Sequence, residues 1–127
     1  MVGIVIVSHS AELARGVAEL AGQVAGPQVR IETAGGGPDG SLGTDDGLVR
    51  DAIRRADQGE GVIILGDLGS AILTIRHVLE RQSNGHNRLV DAPIVEGTVA
   101  AAVVASAGCT LTDVAKAAEE ARGASKL

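Results

Sequence analysis

Hydrophobic positions along the chain follow two periods, and their alternation predicts the elements. Val2 to Val7 is an almost unbroken apolar run rich in β-branched residues, the pattern of a strand covered on both faces. From Ala11 to Ala25 the period changes: Leu13, Val17, Leu20 and Val24 recur every three or four residues among Glu12, Arg15 and Glu19, which predicts an amphipathic helix with those four facing inward. Ser10 suits its N-cap and Gly26-Pro27 its end. Gln28 to Thr33 alternates Val29 and Ile31 with polar residues, as an edge strand does, and Ala34 to Thr44 reads as loop. A second helix follows over Asp46 to Asp57, with Leu48, Val49, Ala52, Ile53 and Ala56 inward, then a second buried strand over Gly61 to Asp67. Ser70 to Gln82 predicts a third helix, Ser83 to Asn87 a turn, and Arg88 to Val90 a short strand. Val95 to Ala107 and Thr112 to Arg122 read as two more helices parted by Gly108, the last capped by Thr112.

Strands alternating with helices define an α/β chain with a mostly parallel sheet and right-handed crossovers. Four such strands in one domain, residues 1–127, predict a three-layer sandwich with helices on both faces and strand order 2-1-3-4. In that order the ligand crevice opens where the carboxyl ends of strands one and three meet. Those ends are Ser8-His9-Ser10 and Asp67-Leu68-Gly69-Ser70. The helix over Val95 to Ala107 has no polar face, so it must be buried within the domain or against a second copy, and a homodimer is the expectation.

Composition narrows the chemistry. The 127 residues include 18 glycines and no Phe, Trp or Tyr, which removes base-stacking platforms, flavin sandwiches and aromatic cages. A formal charge of −5 gives no attractive field for nucleic acid or anionic lipid. The one cysteine, Cys109, allows no internal disulfide and reads as a small apolar residue in a reducing, cytoplasmic setting. Neither the apolar start nor the stretch Thr98 to Cys109 has the make-up of a signal peptide or a membrane span.

His9 ends a central strand immediately before a helix, where free backbone N–H groups attract anions and disfavour the imidazolium. A neutral imidazole beside an anion site is a nucleophile suited to phosphorus. Asp67 belongs to the neighbouring strand, about 4.8 Å away, close enough to accept a proton from one ring nitrogen and leave the other free. Taken singly, His9 has a loop residue that caps the helix as its alternative reading, and Asp67 reads better as a capping carboxylate of the third helix; the pair carries the chemistry. Gly35 to Gly40 matches G-x-G-x-x-G formally, but it follows the second strand and contains Pro38, so a mobile rim over the crevice is the expectation rather than a dinucleotide fingerprint. His77 and His86 lack companions at ligand spacing and read as surface residues, and no metal site is expected. Arg50, Arg54 and Arg55 read as a solvated helix face.

Four segments taken jointly resemble a known family. They are Ile4-Val5-Ile6-Val7-Ser8-His9-Ser10, the loop ending Gly43-Thr44-Asp45, Gly66-Asp67-Leu68-Gly69-Ser70-Ala71, and Asp91-Ala92-Pro93-Ile94-Val95-Glu96-Gly97. Over nearly its whole length the chain is similar to the mannose-type IIA domains of the phosphotransferase system, in the branch that serves phosphoenolpyruvate-dependent dihydroxyacetone kinases. It departs at Thr98, where alanine is common, and lacks the HPr-like and enzyme I-like domains fused to some members. The resemblance implies a phosphotransferase subunit with a phosphohistidine intermediate: His9 accepts a phosphoryl group from phospho-HPr and passes it to ADP held in the DhaL subunit, for dihydroxyacetone bound by DhaK. It implies that Asp67 orients the ring and that Ser8, Ser10, Gly37, Thr44, Gly69 and Ser70 line the pocket. It also implies that this chain binds no cofactor of its own. Within the same family a phosphorylated regulatory domain or a sugar-transporter IIA component are the alternatives, and a simple anion-binding domain lies outside it.

Overall fold

The structure, a computed structural model, describes residues 1–82 and 85–127. Part of the turn expected over Ser83 to Asn87 therefore lies outside the described residues. Four strands, β1 (Gly3–Ser8), β2 (Ile31–Gly35), β3 (Val62–Gly66) and β4 (Asn87–Leu89), form one parallel sheet in the order β2-β1-β3-β4. This is the order the α/β pattern predicts. The helices are α1 (Ala11–Ala25), α2 (Asp46–Ala56), α3 (Gly69–Glu80), α4 (Ile94–Ser106) and α5 (Leu111–Glu120), with a 3-10 turn over Ala121–Gly123.

Side chains of a strand alternate between faces, so the two buried runs split into two cores. Ile4, Ile6, Ile63 and Leu65 meet α1, α4 and α5, while Val5, Val7, Val62 and Ile64 meet α2 and α3. Both faces of β1 and β3 are thus covered, which is why their sequences show no polar alternation.

Helix α1 differs from the expectation in an informative way. Its inward row is Ala14, Val17, Ala21 and Ala25, whereas Leu13, Leu20 and Val24 are 42%, 47% and 48% exposed. The row of larger residues leads the row of alanines by one position, about 100° around the helix. Close approach decides between the two rows. At Gly35, where β2 ends against the start of α1, an added Cβ would stand 2.6 Å from Ala11 Cα, so the helix rides on small residues there. Other boundaries shift for local reasons. β2 starts at Ile31 because its pairing with Ile4 of β1 starts there. Helix α2 is capped by Asp45, whose carboxylate accepts from Leu48 N–H at 2.9 Å. Helix α5 is capped by Thr110 and not Thr112, through Asp113 N–H at 3.3 Å.

The apolar helix α4 is mostly covered within the domain: Gly97, Thr98, Ala101, Ala102 and Ala105 are buried. Val95 and Val103 stay 38% and 50% exposed. Thr98 is fully buried and satisfies its hydroxyl by donating to Ile94 O, so this departure from alanine leaves no unpaired polar group. Cys109 is half-buried against the same core.

The close approach at Gly35 predicts opposite signs for two glycine replacements. Gly35→Ala is expected to cost about 1–3 kcal/mol in urea unfolding, because backbone must move. Gly16→Ala, at an exposed position inside α1 with nothing near its Cβ, is expected to gain roughly 0.5–1 kcal/mol.

Candidate functional site

The strand register sets the site. Val7 pairs with Gly66, so the chains leaving β1 and β3 bring Ser8-His9-Ser10 beside Asp67. Both carboxylate oxygens of Asp67 are used there. Oδ2 accepts from the Ser8 hydroxyl at 2.7 Å and from the backbone N–H of His9 at 3.2 Å, and Oδ1 accepts from Leu68 N–H at 2.7 Å. Ser8 is fully buried, and its Oγ in turn accepts from Ser10 N–H at 3.0 Å.

The pairing of His9 with Asp67 is as the sequence implies, but the contact is different. The expected bond from a ring nitrogen to the carboxylate is not formed. Asp67 holds the backbone of His9, and Nδ1 of the ring is buried without a hydrogen-bond partner. The carboxylate is instead turned to the backbone, engaged by the Ser8 hydroxyl and by the amides of His9 and Leu68. His9 does not cap α1 either. Ser10 is the N-cap, its Oγ accepting from Leu13 N–H at 3.3 Å.

The glycine-rich segment closes the other side. Gly36 N–H donates to Ser8 O at 3.1 Å, and Gly43 N–H donates to His9 O at 2.9 Å. The expected mobile rim is therefore pinned at two points to the segment it surrounds. Gly36 has φ 75° and an added Cβ there would meet Ser41 O at 2.6 Å, so only glycine fits. Gly36 and Gly43 lie in the glycine-rich loop expected to rim the crevice, and it is their amides, not that of Gly37, that bond the backbone of Ser8 and His9. The signal was present in the glycine run, but only the tertiary structure reveals which amides turn toward His9.

The remaining pocket candidates separate. Gly37 bonds within its own loop, N–H to Ser41 O at 2.7 Å. Thr44 pairs its hydroxyl with that of Thr74 on α3 at 2.8 Å, so it joins loop to helix and does not face the ring as a free donor. Gly69 and Ser70 start α3, whose N-cap residue Leu68 makes no side-chain cap bond, leaving first-turn amides open to an anion. A cleft of about 420 Å³ adjoins the site, sharing Asp67 and lined also by Leu68, Gly69, Arg76, Asp91 and Glu119. His77 is exposed and bonded to Asp46, and the described residues contain no cluster of metal-ligating groups.

A parallel 2-1-3-4 sheet with a histidine at the carboxyl edge of its first strand defines a class, and known proteins agree. The EIIA-man family model, described as PTS system fructose IIA component, matches residues 3–115. The chain belongs to this family, in its DhaM branch. A Listeria innocua protein named PEP-dependent dihydroxyacetone kinase 2, phosphoryl donor subunit DhaM, is 38% identical over 106 residues, 81% of this chain and 85% of that one. The Lactococcus lactis subunit DhaM of a PTS-dependent dihydroxyacetone kinase is 33% identical, covering 85% of each chain. The Escherichia coli K12 phosphoryl donor subunit DhaM is 39% identical over 90% of this chain, which spans 25% of that longer protein. The crystal structure of a protein of unknown function superposes with a TM-score of 0.82 at 36% identity, covering 93% of this chain and 92% of that one. No helix among the described residues is long and apolar enough to cross a membrane.

Ser8→Ala tests the central link. Removing a buried hydroxyl that both donates to Asp67 and accepts from Ser10 N–H is expected to cost about 1–3 kcal/mol in denaturant unfolding, while an exposed-hydroxyl control, Ser125→Ala, stays near zero.

Proposed function

We propose that this chain is a phosphoryl carrier in which His9 accepts the group from phospho-HPr and passes it to ADP bound in a DhaL subunit, for phosphorylation of dihydroxyacetone in DhaK. The observation that carries the reading is the hold on His9. Its N–H is bound by Asp67, its carbonyl by Gly43, and Nδ1 is enclosed, so Nε2 is the nitrogen open to an approaching group. The names of the relatives favour a kinase subunit over a regulatory domain or a sugar-transporter component.

The chemistry is a pair of in-line displacements. The Nε2 lone pair attacks phosphorus, the N–P bond of the donor's phosphohistidine breaks, and the donor imidazole leaves with its electron pair. In the second step a β-phosphate oxygen of ADP attacks, and the bond from Nε2 breaks. Nδ1 keeps the ring proton throughout. Holding the backbone of His9 fixes the attack geometry, which supplies much of the rate when the reacting atoms meet near 3–3.5 Å. The uncapped first turn of α3 offers N–H groups to the phosphoryl oxygens. The Asp67 carboxylate beside them adds negative charge that favours release. The chain itself needs no nucleotide, metal or aromatic platform, and a cytoplasmic location follows from its donors and acceptors.

With phosphoenolpyruvate, enzyme I and HPr, the chain is expected to gain one acid-labile phosphoryl group and to sustain dihydroxyacetone phosphate formation with DhaL and DhaK. His9→Ala should abolish labelling, whereas His77→Ala and His86→Ala keep it; label on the His9→Ala chain overturns the reading. Asp67→Asn, read by rapid-quench transfer, is expected to slow the reaction on the order of a hundredfold through misplacement of His9. An unchanged rate removes Asp67 from the mechanism.

A further inference from the structure

His9 is held on both sides by segments that the sheet does not join to each other. Asp67, which follows β3, accepts from its N–H, and Gly43, in the loop after β2, donates to its carbonyl. β2 and β3 lie on opposite sides of β1, so no strand pairing fixes the distance between those two segments. Gly35, Gly36, Gly37, Gly40 and Gly43 also give the loop little stiffness of its own. One side-chain bond closes the gap. Thr44, the residue after Gly43, meets Thr74 of α3 hydroxyl to hydroxyl at 2.8 Å. A hydroxyl has a single proton to give. Thr74 donates its own to Ser70 O, one turn back in α3, at 3.0 Å, so between the two threonines Thr44 is the donor and Thr74 the acceptor. The bonds therefore form a closed circuit. It runs from His9 through Gly43 and Thr44 to Thr74 and Ser70, then along the chain through Gly69 and Leu68 to Asp67 and back to His9.

We propose, resting on the carrier reading of His9, that Thr74 and Thr44 are positioning residues for phosphoryl transfer: their hydroxyl bond fixes the loop that holds the His9 carbonyl against the first turn of α3. Gly69 and Ser70 open that turn, and in the carrier reading its N–H groups serve the phosphoryl oxygens. The circuit thus locks the two halves of the reaction geometry, the attacking ring and the anion-facing turn, to one another. Both threonines act through backbone: Thr44 through the adjoining Gly43 amide, Thr74 through the Ser70 carbonyl. A second bond between the same regions provides the contrast. Asp46 and His77 pair at the surface, one turn further along α3, and join it to the start of α2 beyond the Asp45 cap. That pair ties helix to helix but lies outside the circuit, so it separates general cohesion from placement of His9.

Rapid-quench transfer from phospho-HPr to the full chain tests this. Thr74→Val keeps the shape and removes the hydroxyl; it is expected to lower the rate at saturating phospho-HPr on the order of tenfold, with the half-saturating concentration unchanged. Thr74→Ser, which restores the hydroxyl, should recover the rate to within about twofold. Thr44→Val should match Thr74→Val, and the double variant should be no slower than either, since both cut one bond. His77→Ala, which also removes a bond to α3, should keep the unaltered rate. If Thr74→Val proves too unstable in urea unfolding to assay, Thr44→Val cuts the same bond from the loop side. An unchanged rate in the valine variants, equal losses in Thr74→Val and His77→Ala, or losses that add in the double variant overturns the proposal. An unaltered chain that takes no phosphoryl group from phospho-HPr sinks the carrier reading and the circuit with it, whereas a labelled chain indifferent to Thr74 and Thr44 sinks the circuit alone.

Discussion

One carboxylate ties together the carboxyl ends of the two central strands. Asp67 leaves β3, and its two oxygens collect the Ser8 hydroxyl, the His9 amide and the Leu68 amide. The fully buried Ser8 hydroxyl would otherwise lack an acceptor, at about 1–3 kcal/mol for a buried unpaired group. The same bonds decide where His9 stands relative to α3. Structural cohesion and placement of the nucleophile thus share one group, which is why the carboxylate is spent on backbone and the ring is left with an enclosed, unpaired Nδ1.

A second constraint is the tight fit of α1 against the sheet. Because Gly35 lets the end of β2 touch the first turn of α1, the helix turns its alanines inward and its leucines out. The site benefits, since the helix N-terminus is brought against Ser8 and His9. The cost is that Leu13, Leu20 and Val24 stay partly exposed on the outer helix layer. A chain without aromatic residues packs its core through Ala, Val, Ile and Leu.

The absence of Phe, Tyr and Trp also fits the site. Nothing around His9 could stack on a base or a sugar, and what surrounds it instead is backbone: a glycine loop bonded to the carbonyls of Ser8 and His9 on one side and the first turn of α3 on the other. Glycine loops are commonly read as flexible, yet this one is bonded to the two residues it encloses. Its glycines serve close approach and positive φ, which a fingerprint match in the sequence does not distinguish from nucleotide binding.

How much was legible from sequence follows from the range of each interaction. Continuous apolar runs in β1 and β3, helical periodicity and the strand–helix alternation are local and give the α/β class, while the sheet order, and with it the meeting of His9 with Asp67, was expected only as the commonest winding for a chain of this size. The Ser10 cap was legible for the same reason, and the Thr110 cap of α5 carries a local signal too, since Asp113 follows Thr110 by three residues whereas Ala115 follows Thr112. Three things had to wait for the tertiary structure: which atoms of Asp67 and His9 bond, which glycine amides reach them, and which of two adjacent rows on α1 turns inward. Periodicity is blind to a rotation of one residue when both rows are apolar. The close approach that goes with it, Gly35 against Ala11, lies between residues 24 positions apart in the chain, and contact across that distance exists only once the sheet has formed.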